Sequence, residues 1–315
     1  MYSRTKNRIS LNLAAACNRG CSYCIQEKDA WYRALREKAA AAVMDSRNSE
    51  PPLSEAAVIM PGEAPAFAYS LFDCSDYFLL RRQPYYRAAL DSVLRMFCRP
   101  AGNGRAGTRF SDQQVMLTVR PGPGDQVDGW LLAMHHACRL TMFVSFGSLN
   151  AATEPDTFRD RLRFMIGARQ AGLHVVPLFK PLVTEWFDLA RAHDLLAEIV
   201  NAADSVVAGG LKLTPALVRN LRRAGVAVPI QPYSESAAYL DRGLLAVFAA
   251  AVRALKPVSV YKHRLCAMYE YYRLPCRTDC REREFCSKRP PLPAPSPDAR
   301  HAAFAAGTSP ATGPY

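Results

Sequence analysis

The feature that most constrains this chain is a repeated alternation of short apolar runs with longer helical stretches closed by glycine. In the second half, Leu140 to Phe146, His174 to Phe179 and Ser205 to Val207 read as strands, the last ending in Gly209 and Gly210. Between them, Asp156 to Ala171 before Gly172, Glu185 to Ala202, and Pro215 to Ala224 before Gly225 read as helices. Strand–helix alternation of this kind builds parallel β/α units, because a parallel strand pair needs a crossover that a helix supplies. The first half repeats the pattern less evenly. Arg8 to Ala15 alternates apolar and polar residues as a strand does, Gln26 to Arg47 is a helix ended by Asn48 to Pro52, and Ala57 to Met60 and Ala66 to Phe72 are strand-like. Pro84 to Phe97 is helical, Arg99 to Arg109 a Gly- and Arg-rich surface loop, and Val115 to Val119 a further strand. Val226 to Ile230 is a candidate extra strand before a helix over Arg242 to Leu255.

The count is about six units, with no Gly-rich phosphate fingerprint after the first strand. The expected fold is therefore α/β, a partial (β/α)6 TIM-type barrel over residues 1–255. A Cys-rich carboxyl-terminal extension over 256–289 follows it. Residues 290–315 are rich in Pro, Ala and Ser, cannot bury enough apolar surface to order themselves, and are expected to be a disordered tail.

The 315 residues suffice for a real core, and no apolar run reaches the roughly 18 to 20 residues of a membrane span. Residues 1–12 are basic but lack the apolar core of a secretory signal, so a cytoplasmic protein is expected. The formal charge of +12 would suit a polyanion, but the 40 basic residues are spread along the chain, with only a modest excess between Arg264 and Arg289.

Cysteine grouping is more telling. Ten thiols in a reducing compartment are candidates for metal or redox chemistry rather than disulfides. Cys17, Cys21 and Cys24 stand on one loop after the first strand, spaced by three and then two residues. Three thiolates can hold three irons of a [4Fe-4S] cube and leave the fourth open for chemistry. Zinc is the alternative, but a structural zinc site wants four closed ligands, and no fourth Cys or His lies nearby. Cys266, Cys276, Cys280 and Cys286 form a second group, set among Tyr261, Tyr269, Tyr271, Tyr272 and several Arg and Lys; they could close a second [4Fe-4S] cluster or a zinc site.

The Cys17-Asn-Arg-Gly-Cys21-Ser-Tyr-Cys24 segment, with Tyr23 before the third cysteine, resembles the hallmark of the radical S-adenosylmethionine superfamily. That resemblance implies a partial (β/α)6 barrel whose open iron chelates S-adenosylmethionine (SAM). It also implies reductive cleavage of SAM to a 5′-deoxyadenosyl radical that takes hydrogen from a substrate held in the barrel. An electron donor such as flavodoxin or ferredoxin would be a partner. Pro61-Gly62-Glu63 looks like the Gly-Gly-Glu element that binds the SAM amino group, and Ser145 and Glu154 look like SAM-binding residues of one branch.

That branch is the spore photoproduct lyase and its DNA-repair-photolyase-like relatives. The likeness runs over about residues 8 to 225, carried by Phe72-Asp73-Cys74-Ser75-Asp76, by Val127 to Leu132 leading to Phe143-Val144-Ser145, and by Arg161-Leu162 through Gly172 to Lys180-Pro181-Leu182-Val183. It implies that Cys74 returns a hydrogen atom to a substrate radical. Ile25 after the cluster, Arg120-Pro121 where a Thr-Lys element would stand, and a different carboxyl-terminal third depart from the lyase. The lyase branch also uses its second strand for the Cys-Ser-Asp element, so Glu63 and Cys74 compete for one strand end. The leading expectation is hydrogen abstraction from a peptide or small biosynthetic intermediate. The alternatives are repair of a DNA pyrimidine lesion, and a non-catalytic zinc protein that binds nucleic acid.

Overall fold

The computed structural model describes residues 2–5, 8–11, 68–72, 76–82, 84–98, 113–153, 157–211, 215–228 and 241–273. Eight strands form one sheet in strict chain order. They are β1 (Tyr2–Thr5), β2 (Arg8–Leu11), β3 (Ala68–Leu71), β4 (Gln114–Val119), β5 (Arg139–Ser145), β6 (His174–Phe179), β7 (Ser205–Ala208) and β8 (Ser259–Tyr261). The first pair is antiparallel and every later pair parallel, so β2 to β8 are seven parallel strands. No pairing joins β8 back to β1 among the described residues, so the sheet is an open, partial TIM-type barrel.

The helices are α1 (Tyr77–Arg82), α2 (Pro84–Cys98), α3 (Gly129–Ala137), α4 (Phe158–Gln170), α5 (Leu189–Asn201), α6 (Pro215–Arg223), α7 (Arg242–Leu255) and α8 (Arg264–Tyr271). Asp128, Asp188 and Asp241 cap α3, α5 and α7 by accepting backbone N–H groups that a first helical turn leaves unmet. Gly172 and Gly225 take φ of 85° and 65° directly after α4 and α6, the left-handed turn that glycine adopts without steric cost.

Alternation along the strands sorts side chains onto two faces. Tyr69, Leu71, Val115, Leu117, Val119, Leu140, Met142, Val144, Val175, Val206 and Val260 meet the helices in the larger core. Ala68, Met116, Phe143, Val176, Leu178, Val207 and Tyr261 share the other face with Ala267, Met268 and Tyr269 of α8. The last helix thus lies against the inner, concave face of the sheet rather than with the outer layer.

Two sequence expectations change here. Val226 to Val228 is irregular chain after α6, where Val226 N–H returns to Leu221 O at 2.9 Å as a helix end does, so it is not a strand; Pro229 and Ile230 lie outside the described residues. The seventh parallel strand is instead Ser259–Tyr261, in the segment expected to begin the Cys-rich extension. Three residues with one strongly apolar face carry too little periodicity to stand out. The helix expected over 26–47, the strand over 57–60, the loop over 99–109 and the tail over 290–315 lie outside the described residues. Among the described residues no helix is long and apolar enough to cross a membrane.

Two buried polar groups tie the layers together. Tyr77 on α1 donates its hydroxyl to Asp128 at 2.8 and 2.7 Å, and the same carboxylate caps Leu131 N–H at 3.0 Å and receives Arg81 Nε at 2.9 Å. Burial first, then the carboxylate beside it, raises the Tyr77 phenol well above its ordinary range. On the inner face, His174 Nδ1 sits 2.9 Å from Thr141 Oγ1 and its ring stacks on Tyr271 with centroids 3.5 Å apart. Burial lowers its pKa from 6.5 to about 3, with nearby Arg169 and His135 adding to the effect and Asp204 opposing it.

Asp128→Ala removes a helix cap and orphans a buried phenol, and is expected to cost about 3 kcal/mol in urea unfolding. For His174, the unfolded chain takes a proton below pH 6.5 while the folded ring refuses it until about pH 3. Its contribution is therefore complete above pH 6.5 and declines by up to about 1.4 kcal/mol per pH unit as pH falls toward 3. Urea midpoints measured from about pH 4 to 7 should show this slope, and His174→Gln should flatten it.

Candidate active site

In parallel β/α folds the carboxyl ends of the strands gather the loops that carry chemistry. Register lays the inner-face residues of this edge in rows. The uppermost row runs Ser145, Leu178, Val207, Tyr261 across β5 to β8, and Arg120, just past β4, reaches it by donating Nε to Ser145 Oγ at 3.3 Å. Ser145 and Tyr261 stand three strand spacings apart, roughly 14 Å measured along the curved sheet, polar residues on either side of an apolar centre. The row beneath is Thr118, Phe143, Val176. Arg264, the first residue of α8, crosses to it: its Nη1 donates to Thr118 Oγ1 at 2.5 Å and its guanidinium lies 5.9 Å from the Phe143 ring centroid. The lowest row holds Thr141 and His174, met by the far end of α8 through Tyr271 and by Tyr272, whose hydroxyl donates to Leu140 O at 2.9 Å. The inner face is consequently a bowl, filled below by Ala267, Met268 and Tyr269 and buried at its upper row, where Ser145, Leu178, Val207 and Tyr261 are 1%, 4%, 1% and 2% exposed.

Ser145 is held from behind. Arg161 on α4 is 2% exposed; its Nη1 donates to Ser145 O at 2.7 Å and its Nε to Thr157 Oγ1 at 3.0 Å, over the Phe158 ring. A guanidinium can bridge the last carbonyl of a strand and the start of the next helix because its donors fan out in a fixed plane. The loop after β5 is anchored in turn: buried Ser148 donates to Pro181 O, and Asn150 Nδ2 to Trp186 O at 2.8 Å. Gly147 and Leu149 adopt φ of 53° and 54° within it.

Asp76 performs the same task between β3 and β4. Its Oδ1 accepts Phe78 N–H and its Oδ2 accepts Arg120 N–H, each at 2.9 Å, while its carbonyl receives Leu80 N–H at 3.1 Å. The carboxylate that closes the Cys-Ser-Asp element is thus a clamp, capping α1 and fixing the backbone of Arg120. Phe72, directly after β3, takes φ of 58°, a strained value for a residue with a Cβ, and is buried beside Trp130. The strand paired to β2 is therefore the one leading into Phe72 and Asp76, so Pro61-Gly62-Glu63 precedes this strand and does not follow it.

Of the residues singled out in the sequence, Ser145 is described and stands on the upper row. Cys266 is described on α8, half-buried and packed against the inner cluster. Cys17, Cys21, Tyr23, Cys24, Glu63, Cys74, Glu154, Cys276, Cys280 and Cys286 lie outside the described residues. No group of three metal-binding side chains occurs among the described residues. Arg120, Thr118, Tyr261 and Arg264 are neighbours of Ser145 on or beside the inner rows that the sequence does not announce. Arg120 is visible there only as a departure from the lyase pattern, and Tyr261 and Arg264 only as part of the Tyr and Arg content around the second cysteine group.

With this geometry in hand, one solved structure decides the fold comparison. A double mutant of spore photoproduct lyase with bound S-adenosylmethionine and dinucleoside spore photoproduct matches with a TM-score of 0.52 at 12% identity, covering 81% of this chain and 76% of that one. The fold is similar to that of spore photoproduct lyase. A point mutant of the same lyase matches with a TM-score of 0.49 at 12% identity, over 78% and 74% of the two chains. No protein-family model matches the chain, and neither does any curated protein sequence. The resemblance seen in the sequence and the resemblance of fold fall on the same lyase.

Arg161→Ala orphans the buried Ser145 carbonyl and empties the space between β5 and α4. It is expected to cost about 3 kcal/mol. Arg161→Lys, which keeps charge but not the planar fork, should restore less than half of the lost stability in the same urea titration.

Proposed function

We propose that this protein is a radical S-adenosylmethionine enzyme that abstracts hydrogen from a peptide or a small biosynthetic intermediate. The observation that carries the reading is the Cys17-x3-Cys21-x2-Cys24 triplet following the first parallel strand of an open barrel similar in fold to spore photoproduct lyase. Cys17, Cys21 and Cys24 would hold a [4Fe-4S] cluster by three corners, with Tyr23, Glu63 and Glu154 among the residues around the cofactor. Bound SAM would supply a 5′-deoxyadenosyl radical when cleaved by one electron from a donor such as flavodoxin or ferredoxin.

The described residues fit such a ligand. Arg120 and Ser145 bring a guanidinium and a hydroxyl to one point of the upper row, a donor set suited to a carboxylate. Asp76 and Arg161 hold that pair from behind, so it is organised before any ligand arrives. Leu178 and Val207 give the middle of the bowl an apolar lining that excludes water from a reactive centre. Cys266, Cys276, Cys280 and Cys286 would bind a second cluster or zinc.

A second reading, repair of a pyrimidine lesion in DNA with Cys74 as hydrogen donor, is favoured by the dinucleoside lesion in the similar lyase structure. Protein reconstituted with iron and sulfide under anaerobic conditions should be brown and should release 5′-deoxyadenosine from SAM with dithionite. Replacing Cys17, Cys21 or Cys24 by Ala should lower that release by more than a hundredfold. A colourless, zinc-loaded chain that leaves SAM intact would sink the proposal. Cys74→Ala should stop lesion reversal only if the DNA reading holds.

A further inference from the structure

The outer helical layer holds a cavity that the catalytic reading does not use. It lies where α1, α2 and the start of α3 meet and has a volume of about 280 Å³, the small end of ligand sites. One stripe of α2 makes most of its wall. Arg87, Leu90, Asp91 and Leu94 recur at the three- and four-residue spacing that puts side chains on one helix face. The rest comes from Arg81 on α1 and from Gly129 and Trp130, the first two residues of α3.

The charged members are not neutralised by one another. Arg87 and Asp91 are exposed and stand one turn apart, a spacing at which opposite charges can pair, yet neither makes a hydrogen bond or an ion pair among the described residues. Arg81 turns one of the five donors of its fork, Nε, to Asp128 at 2.9 Å, and its side chain remains 41% exposed. The apolar members are fixed. Leu90 is 1% exposed, and Trp130 donates Nε1 to Leu90 O at 2.8 Å while its ring stacks on Tyr77 with centroids 5.1 Å apart, so the indole offers the cavity its ring and not its N–H. Gly129 leaves the space open: a Cβ there would meet nothing within 4 Å, and its φ is not in the left-handed region that would call for glycine.

We propose that this cavity binds a free amino acid with an apolar side chain. Its carboxylate would meet the guanidinium groups of Arg87 and Arg81, its ammonium the Asp91 carboxylate, and its side chain the surface of Leu90, Leu94 and Trp130. A simple carboxylic acid would leave Asp91 as an unpaired like charge beside it, and a simple amine would leave the two arginines so. Leu90 and Trp130 belong to the core on the helix side of the sheet, not to the inner-face cluster, so the ligand is distinct from a substrate held in the barrel and the inference does not depend on the radical SAM reading.

Calorimetric titration of the full-length protein with L-leucine, L-methionine and L-phenylalanine tests this. At least one should bind saturably, and its counterparts lacking either the ammonium or the carboxylate should bind about tenfold more weakly or worse. Arg87→Gln and Asp91→Asn should each weaken the amino acid about fivefold or more yet melt no lower than wild type, because neither side chain has a partner among the described residues. Gly129→Leu, which puts a side chain into the space, should abolish binding, and Gly129→Ala should melt no lower than wild type. Failure of all three amino acids to bind overturns the site, as does affinity unchanged by Arg87→Gln or by Asp91→Asn, or equal affinity for a counterpart with one charge. Dithionite-driven SAM cleavage is read separately, and its outcome leaves these titrations unaffected.

Discussion

A parallel sheet curled part-way into a barrel has a concave face that must be filled, and here α8 fills it. Its Ala267, Met268 and Tyr269 join Phe143, Val176 and Leu178 in one apolar cluster, and the stacked ring of Tyr271 covers buried His174 at the lower rim. Among the described residues, that helix is what covers the apolar inner side chains of β4 to β8.

The upper row is maintained by polar clamps from behind. Asp76 joins the ends of β3 and β4, Arg161 joins β5 to α4, and Ser148 joins the loops after β5 and β6. Each fixes a strand end whose next residues leave the ladder, where backbone hydrogen bonds no longer impose direction. Arg120 and Ser145 are thereby positioned by buried contacts from behind the sheet. The same logic explains a Cys-Ser-Asp element whose acidic member serves structure.

Much of this is legible in the chain. Helices over Pro84–Cys98, Phe158–Gln170, Pro215–Arg223 and Arg242–Leu255, and strands over Gln114–Val119, Arg139–Ser145 and His174–Phe179, lie close to where glycines, caps and periodicity put them. Ser145 stands out because it closes a strand, and a residue in that position reaches the open edge. Val226 to Val228 misleads, since a Val-Ala-Val run directly after a helical glycine has strand composition without a neighbour to pair with. The placement of Arg264 and Tyr261 escapes notice because it depends on partners 146 and 54 residues away in sequence, Thr118 across the bowl and Val207 in the register.

The sequence by itself determined the repeated β/α unit, the parallel sheet and the cysteine spacing, since each rests on local periodicity or on residues within a few positions of one another. Only the tertiary structure decided that a three-residue strand closes the parallel series and that the helix after it turns inward. Which face of a short strand or helix is covered depends on the curvature of the whole sheet, and no local pattern encodes that.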